Sequence, residues 1–382
     1  MVYWLTRAAS WLAGRVPRPL RLAIAGPLTT LVYYLWTAKR RVTIANMAQV
    51  LGVAPSDARA RRLARDSWRN YGRYLSDFFY LPNATPADIL ARLKDVTPAP
   101  GAYGRIDAAR AHGKGLLIAT MHFGAWDVAG VLVGAHTPLH VLVDSFDDPR
   151  MDELIQTQRR DLGMEVMRVE KSPRAILRVL KDNGTVAIVA DRPLPNGEGT
   201  PVTFFGKQCY VPGGVAQLAL LTGAAIAPGY TWYDANYSDT YYGFLDEPFY
   251  PESTGDRQAD TQRLTQRIYD AFERTLRERP EQWAMFRPFW PDDDEHIAAA
   301  DAARITTGRE HAPADAASAT SSAATGAPTR TAAQTTAHGA ADTLIEEQPA
   351  GRVRRVAPVA AGAPPSDANV SPAPADSGRT DA

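Results

Sequence analysis

The sequence predicts an α/β protein, with a mostly parallel central sheet flanked by helices. Between Ala102 and Pro228, short apolar runs alternate with helical stretches, the pattern of a sheet covered on both faces by crossover helices. Composition sets off both ends of the chain. Residues 1–56 contain no Asp or Glu, and from Pro291 onward there is no aromatic residue, Met, Cys or Lys. The expected organisation is therefore an N-terminal basic and apolar part (1–56), an α/β domain (57–291) and a C-terminal tail (292–382).

The N-terminal part holds two apolar passages, Trp4–Leu12 and Leu20–Trp36, the second interrupted by Arg21, Gly26 and Pro27. Its cleanest stretch, Leu22–Trp36, is 15 residues long, short of the roughly 20 that cross a bilayer as a helix. Tyr33, Tyr34 and Trp36 followed by Lys39-Arg40-Arg41 resemble an interfacial belt. Seven Lys and Arg residues without one acid suit an anionic membrane surface, and no nucleic-acid motif accompanies them. The expectation is a membrane-associating helical hairpin lying in or dipping into one leaflet. A single span, or a plain helix pair packed on the domain, are the alternatives. Met1–Leu12 has early aromatics, Arg7 and no small-residue cleavage site, so it does not read as a cleaved signal peptide.

Asp57–Leu81 has helical periodicity with an apolar aromatic stripe, and Pro82 stops it. Thr85–Leu93 reads as another short helix, which Thr85 caps with Pro86 at its first position. Ile106–His112 reads as helix, Leu116–Thr120 as strand, Ala125–Ala135 as helix and Leu139–Val143 as strand. Asp148-Pro149 opens a helix that Gly163 ends, before strand Glu165–Val169. Helix Arg174–Lys181 and strand Val186–Ala190 follow, then a Gly/Pro-rich loop, Pro195–Pro201, and a short strand, Val202–Phe205. Val215–Thr222 reads as an apolar helix and Ala225–Tyr230 as strand. Thr231–Phe249 reads as a tyrosine-rich hairpin, Arg257–Arg279 as a long amphipathic helix, and Trp283, Phe286 and Trp290 close the globular part. The tail is rich in Ala, Thr, Ser, Pro and Gly, with 13 acidic and 7 basic residues from Asp292. It has too little apolar surface to offset ordering entropy and is expected to be disordered.

The chemistry centres on Gly115–Ala135, GLLIATMHFGAWDVAGVLVGA. His122 and Asp127 are among its few polar side chains. Five residues along a helix separate two side chains by about 140°, so the pair meets only if His122 lies in the turn and Asp127 in the first helical turn. Asp127 then holds one imidazole nitrogen and leaves the other as a base. The plainer account is a satisfied core histidine beside a carboxylate favoured by the helix dipole. In a parallel sheet, ligands gather at the carboxyl ends of strands. His122, Asp144 and Asp191 each follow a strand end, a more specific constellation than any one of them. The single cysteine, Cys209, excludes an internal disulfide and a cysteine-rich metal site. His112, His122, His136 and His140 lack the spacing of a helix-borne zinc pair, since Pro138 breaks the helix that would join the last two.

HFGAWD resembles the H-x4-D motif of the lysophospholipid acyltransferase superfamily, and within it the bacterial branch of lipid A lauroyl/myristoyl and phosphatidylinositol mannoside acyltransferases. Further blocks extend the resemblance over roughly residues 1–291. RRVTIANMAQVL (Arg40–Leu51) looks like the early Arg- and Asn-rich helix. Asp144 with Arg159 before Gly163 looks like the acidic residue and R-x3-G block. ADRP (Ala190–Pro193), FFG (Phe204–Gly206) and VPGG (Val211–Gly214) look like the third block, and Pro228 and PEQW (Pro280–Trp283) like later signposts. The chain departs from the pattern at Asp144, often Glu in the mannoside branch. It departs again ahead of FFG, where Pro201 stands near the family carboxylate and Glu198 lies three residues earlier.

The resemblance implies transfer of a long-chain fatty acyl group from a thioester donor, acyl-CoA or acyl carrier protein, to a hydroxyl of a membrane glycolipid or lysophospholipid. His122 is the implied general base, oriented by Asp127. Asp144, Arg159, Asp191, Arg192 and Glu198 are implied substrate contacts, the arginines toward phosphate. No cofactor or metal is implied beyond the donor as co-substrate. The implied partners are the donor, the lipid acceptor and an anionic membrane surface, with no nucleic acid. The implied place is the cytoplasmic face of a bacterial cell membrane, held peripherally or monotopically. No G-x-S-x-G elbow is present to form an acyl-enzyme, and Cys209 reads as packing. Two other readings stay open: a lipid ester or thioester hydrolase using the same pair, and a non-catalytic membrane adaptor.

Overall fold

A computed structural model describes residues 2–143, 145, 147–168, 173–194, 198–234 and 239–290, all within one compact unit. The expected tail lies outside the described residues. Helices α1 (Val2–Ala13), α2 (Arg18–Leu35), α3 (Thr37–Leu51), α4 (Ala58–Tyr80) and α5 (Pro86–Leu90) come first. A short strand, β1 (Leu93–Asp95), follows, and then the alternation read from the sequence begins: α6 (Gly101–Arg110), β2 (Leu116–Thr120), α7 (Trp126–Gly134), β3 (Leu139–Val143), α8 (Pro149–Asp161), β4 (Met164–Arg168), α9 (Pro173–Lys181) and β5 (Thr185–Val189). A hairpin of β6 (Thr200–Phe204) and β7 (Lys207–Val211) leads to α10 (Gly214–Thr222), β8 (Ala225–Tyr233), β9 (Tyr241–Leu245) and α11 (Arg257–Glu278).

Seven strands form one sheet in the order β1-β9-β8-β2-β5-β3-β4. Every neighbouring pair is parallel except β8–β9, the hairpin expected in the tyrosine-rich stretch. β2 lies at the centre, buried along its whole length. Leu116 and Ile118 pack with Ile106 of α6 and Val131 of α7 on one face. Leu117 and Ala119 pack with Ala216 of α10 and Ile268 and Phe272 of α11 on the other. Both faces being covered is why this strand reads as an unbroken apolar run rather than an alternation.

The N-terminal helices pack on α4. Gly72 of α4 permits a close crossing, since a Cβ there would stand 2.5 Å from Thr29 Oγ1 of α2. Tyr33, Met47 and Val50 join the main core. The outer face is apolar and open: Trp4 is 64% exposed, Leu35 72%, and Leu5, Trp11, Leu12, Leu20, Ile24, Leu28, Leu31 and Trp36 are exposed with them. Among the described residues, no helix is long and apolar enough to cross a membrane.

Candidate active site

The register of the sheet places His122. β2 and β5 are parallel neighbours with Thr120 opposite Val189, so the residues two beyond each strand end, His122 and Asp191, come side by side. The Ala190 N–H donates to the Thr120 carbonyl at 2.8 Å, carrying the ladder one residue past the strands. Asp191 is 1% exposed and takes His122 at two points. The His122 backbone N–H donates to Asp191 Oδ2 at 2.9 Å, and His122 Nδ1 lies 2.8 Å from Asp191 Oδ1. The Trp283 indole N–H donates to the same Oδ2 at 3.0 Å. A carboxylate on Nδ1 fixes the proton there and leaves Nε2 as the free acceptor. The ring stays 44% exposed, and among the described residues Nε2 has no hydrogen bond.

The loop between β2 and α7 is locked around this ring. Gly124 has φ +54°, and a Cβ on it would meet the Thr231 carbonyl at 2.3 Å, so only glycine fits. Its N–H donates to the Gln282 carbonyl at 2.9 Å, and the Ala284 N–H donates to the His122 carbonyl at 2.8 Å. Burial works against a charged imidazole. The charge and hydrogen bond of Asp191, with the more distant charge of Asp127, outweigh it and raise the His122 pKa above its ordinary value of 6.5, while Arg287 pulls the other way.

Asp127 lies in the first turn of α7, where the spacing argument puts it, but it does not orient the imidazole. Its Oδ2 accepts from the Tyr74 hydroxyl at 2.8 Å, and its Oδ1 accepts from Arg159 Nε at 3.1 Å. The start of α7 faces α4 and α8, which supply the phenol and the guanidinium and occupy both carboxylate oxygens. Asp191, expected among the substrate contacts, holds the histidine instead. The sequence carries Asp191 at a strand end but does not show that its strand neighbours β2.

With this geometry in hand, comparison with known proteins assigns the family. The bacterial lipid A biosynthesis acyltransferase family matches residues 1–291. The chain belongs to that family. It is also similar to the phosphatidylinositol mannoside acyltransferase of Mycobacterium tuberculosis (strain CDC 1551 / Oshkosh), 32% identical over 253 residues, 65% of this chain and 76% of the relative. The enzyme of that name from Mycolicibacterium smegmatis is 32% identical over the same length, covering 65% of this chain and 78% of the relative. The protein is a lipid acyltransferase of this family.

In this acyltransferase a cavity of about 100 Å³ opens between α6, α7 and the sheet. Ile106, Ile118, Leu132, Val141 and Met164 give it an apolar wall. Its polar lining, Thr120, Asp127, Arg159 and Thr231, gathers at the carboxyl end of β2, beside His122. The Trp126 ring, also in the lining, meets the imidazole edge-on at 5.3 Å and stacks on Tyr74 at 3.7 Å. Arg159 is tied to Asp127 and to Gln156 Oε1, the latter at 3.2 Å. Arg192 is partly buried next to Asp191 and has a partner of its own. Glu198 is exposed on the approach to β6. Asp144 lies outside the described residues. Tyr74 and Trp283 were legible only as core aromatics; the phenol and the indole N–H each need a polar partner when buried. Among the described residues no group of three or more His, Cys, Asp or Glu is placed to hold a metal ion.

Proposed function

We propose that this acyltransferase moves a long-chain fatty acyl group from a thioester, acyl-CoA or acyl carrier protein, to a hydroxyl of a membrane glycolipid or lysophospholipid. The observation that carries the reading is a carboxylate-held histidine, its second nitrogen open, beside an apolar cavity. His122 Nε2 takes the proton of the acceptor hydroxyl as that oxygen attacks the thioester carbonyl. The tetrahedral adduct collapses by breaking the C–S bond, and the thiolate leaves with the proton from Nε2. Asp191 steadies the imidazolium formed on the way. The cavity takes the acyl chain, and the polar groups at its mouth stand near the reacting carbon. The names of the mycobacterial relatives favour a phosphatidylinositol mannoside as acceptor.

The exposed apolar face of α1 and α2, with the basic residues that follow, is proposed to rest on an anionic bilayer at the cytoplasmic face of the cell membrane, so that the acceptor never leaves the lipid phase.

Incubation of the protein with labelled palmitoyl-CoA and total membrane lipid tests the chemistry. Label is expected to enter a lipid, and His122→Ala to lower the rate by about a hundredfold or more, the usual contribution of a general base. Release of free fatty acid alone would replace this reading with a hydrolase. Label transfer undiminished in His122→Ala would remove the histidine from the mechanism.

A further inference from the structure

The segment after Trp283 passes the histidine and runs on to α3. Ala284 is bonded to the His122 carbonyl. Asn46 of α3 donates Nδ2–H groups to the Met285 carbonyl at 3.0 Å and the Arg287 carbonyl at 2.8 Å, and its Oδ1 accepts from the Phe289 N–H at 3.3 Å. Lys39, two turns earlier on α3, donates from Nζ to the Phe286 carbonyl at 2.9 Å. The backbone around Arg287 is thus fixed on both sides. Phe286 turns inward, against Trp68 at 4.6 Å and Tyr71 at 4.9 Å, while Arg287 is exposed. Among the described residues the Arg287 guanidinium has no carboxylate, hydroxyl, carbonyl or ring partner. A fixed backbone carrying an uncommitted guanidinium, with the Lys39 ammonium on the preceding carbonyl and the histidine loop bonded to the same segment at Ala284, is an arrangement for binding an anion.

We propose that Arg287, on the segment whose Phe286 carbonyl the Lys39 ammonium holds, binds the phosphate diester of the acceptor lipid while His122 deprotonates the acceptor hydroxyl. The proposal rests on the acyl-transfer reading above. The acceptor is favoured over the donor by the position of the segment that carries Arg287. Phe286 touches Trp68, and Trp68 touches the exposed Trp36 with ring centres 6.5 Å apart, while Ala284 is bonded to the His122 carbonyl, so the segment that carries Arg287 links the helices of the open apolar face to the histidine loop. A lipid drawn from a bilayer lying on that face brings its phosphate past this segment. The apolar cavity suited to the donor's chain lies instead on the α6–α7 side of the sheet. Loading the site also changes the base. With its charge met by a phosphate, Arg287 no longer opposes the imidazolium, and His122 becomes a stronger proton acceptor when the acceptor lipid is in place.

Calorimetric titration of the full-length chain with three probes tests this: dihexanoyl phosphatidylinositol, a neutral dihexanoyl galactosylglycerol, and coenzyme A. Arg287→Gln is expected to weaken the phosphatidylinositol probe about tenfold to a hundredfold, the range of a charge-assisted hydrogen bond, and Arg287→Lys to recover part of the loss. The galactolipid and coenzyme A are expected to bind Arg287→Gln as they bind the parent. NMR titration of His122 is expected to show a higher pKa in Arg287→Gln, in a protein that remains folded. No binding of the phosphatidylinositol probe by the parent overturns the proposal. So does equal binding by Arg287→Gln, or a loss shared by the neutral lipid. A loss confined to coenzyme A overturns it in favour of a donor phosphate site. The probes need no turnover. Label transfer without the binding contrast removes this proposal alone, and the contrast without label transfer removes the acyl-transfer reading and leaves a phosphate site.

Discussion

At the scale of residues, the candidate site is one histidine and the carboxylate that holds it. The His122 pKa is raised in the folded protein, so the imidazolium–Asp191 pair contributes stability that is fully present below the unfolded pKa of about 6.5. That contribution is lost as pH rises through the higher folded value. A general base needs the neutral ring. Activity is therefore expected to rise with pH through that same folded value, so the pair steadies the fold most where the enzyme works least. Asp191→Asn removes the charge that lifts the pKa. Its kcat/KM profile is expected to have an acid limb shifted to lower pH and a plateau about a hundredfold down, the scale of a positioned proton transfer; an unmoved acid limb would disprove the assignment. The histidine was legible in the sequence because HFGAWD stands out in an apolar passage. Its partner was not. Asp127 is the nearer carboxylate along the chain, whereas Asp191, 69 residues on, is the nearer one in space, and only the strand order decides between them.

At the scale of elements, apolar periodicity located most of the central strands and the helices between them to within a residue or two, but α6 begins at Gly101 rather than Ile106 and β8 runs on to Tyr233 rather than ending at Tyr230. It missed β1 and β7. Leu93–Asp95 is three residues of mixed polarity at the sheet edge, and Lys207–Val211 belongs to a hairpin outside the main sheet. Neither carries a period for the eye to follow. The hairpin is held through polar contacts that leave no sequence signature: Gln266 of α11 bonds both the Thr203 N–H and the Thr203 carbonyl, at 2.7 and 2.8 Å. The β2–α7 turn shows the opposite case, where a single residue type is dictated by geometry. Gly124→Ala is expected to cost about 1–3 kcal/mol from the left-handed backbone alone, with more from the contact at Thr231. Urea unfolding measures that loss, and acyl transfer is expected to fall with it because the same turn carries His122. Unchanged stability in Gly124→Ala would show that the turn has another conformation open to it.

At the scale of the whole molecule, one face carries the exposed apolar side chains of α1 and α2, and it joins the site through rings in contact: Trp36, Trp68, Phe286, Tyr71, Tyr74, Trp126 and finally His122. The sequence announced this face by its composition, but not its continuity with the histidine, which depends on α4 lying beneath it. Vesicles containing phosphatidylglycerol are expected to sediment with the full chain. Replacing Trp4, Trp11, Leu20 and Leu35 with Glu is expected to abolish that binding while the far-ultraviolet circular dichroism is kept. Co-sedimentation that survives the substitutions would mean the face does not meet lipid. The same layout sets an order in time. As the chain leaves the ribosome, the apolar helices emerge before His122 and His122 long before Asp191, while Trp283 follows 92 residues beyond that carboxylate. On the proposed membrane contact, a nascent chain can thus reach a bilayer while its histidine still lacks the carboxylate that holds it, and the proposed base is completed only after the chain has met its lipid.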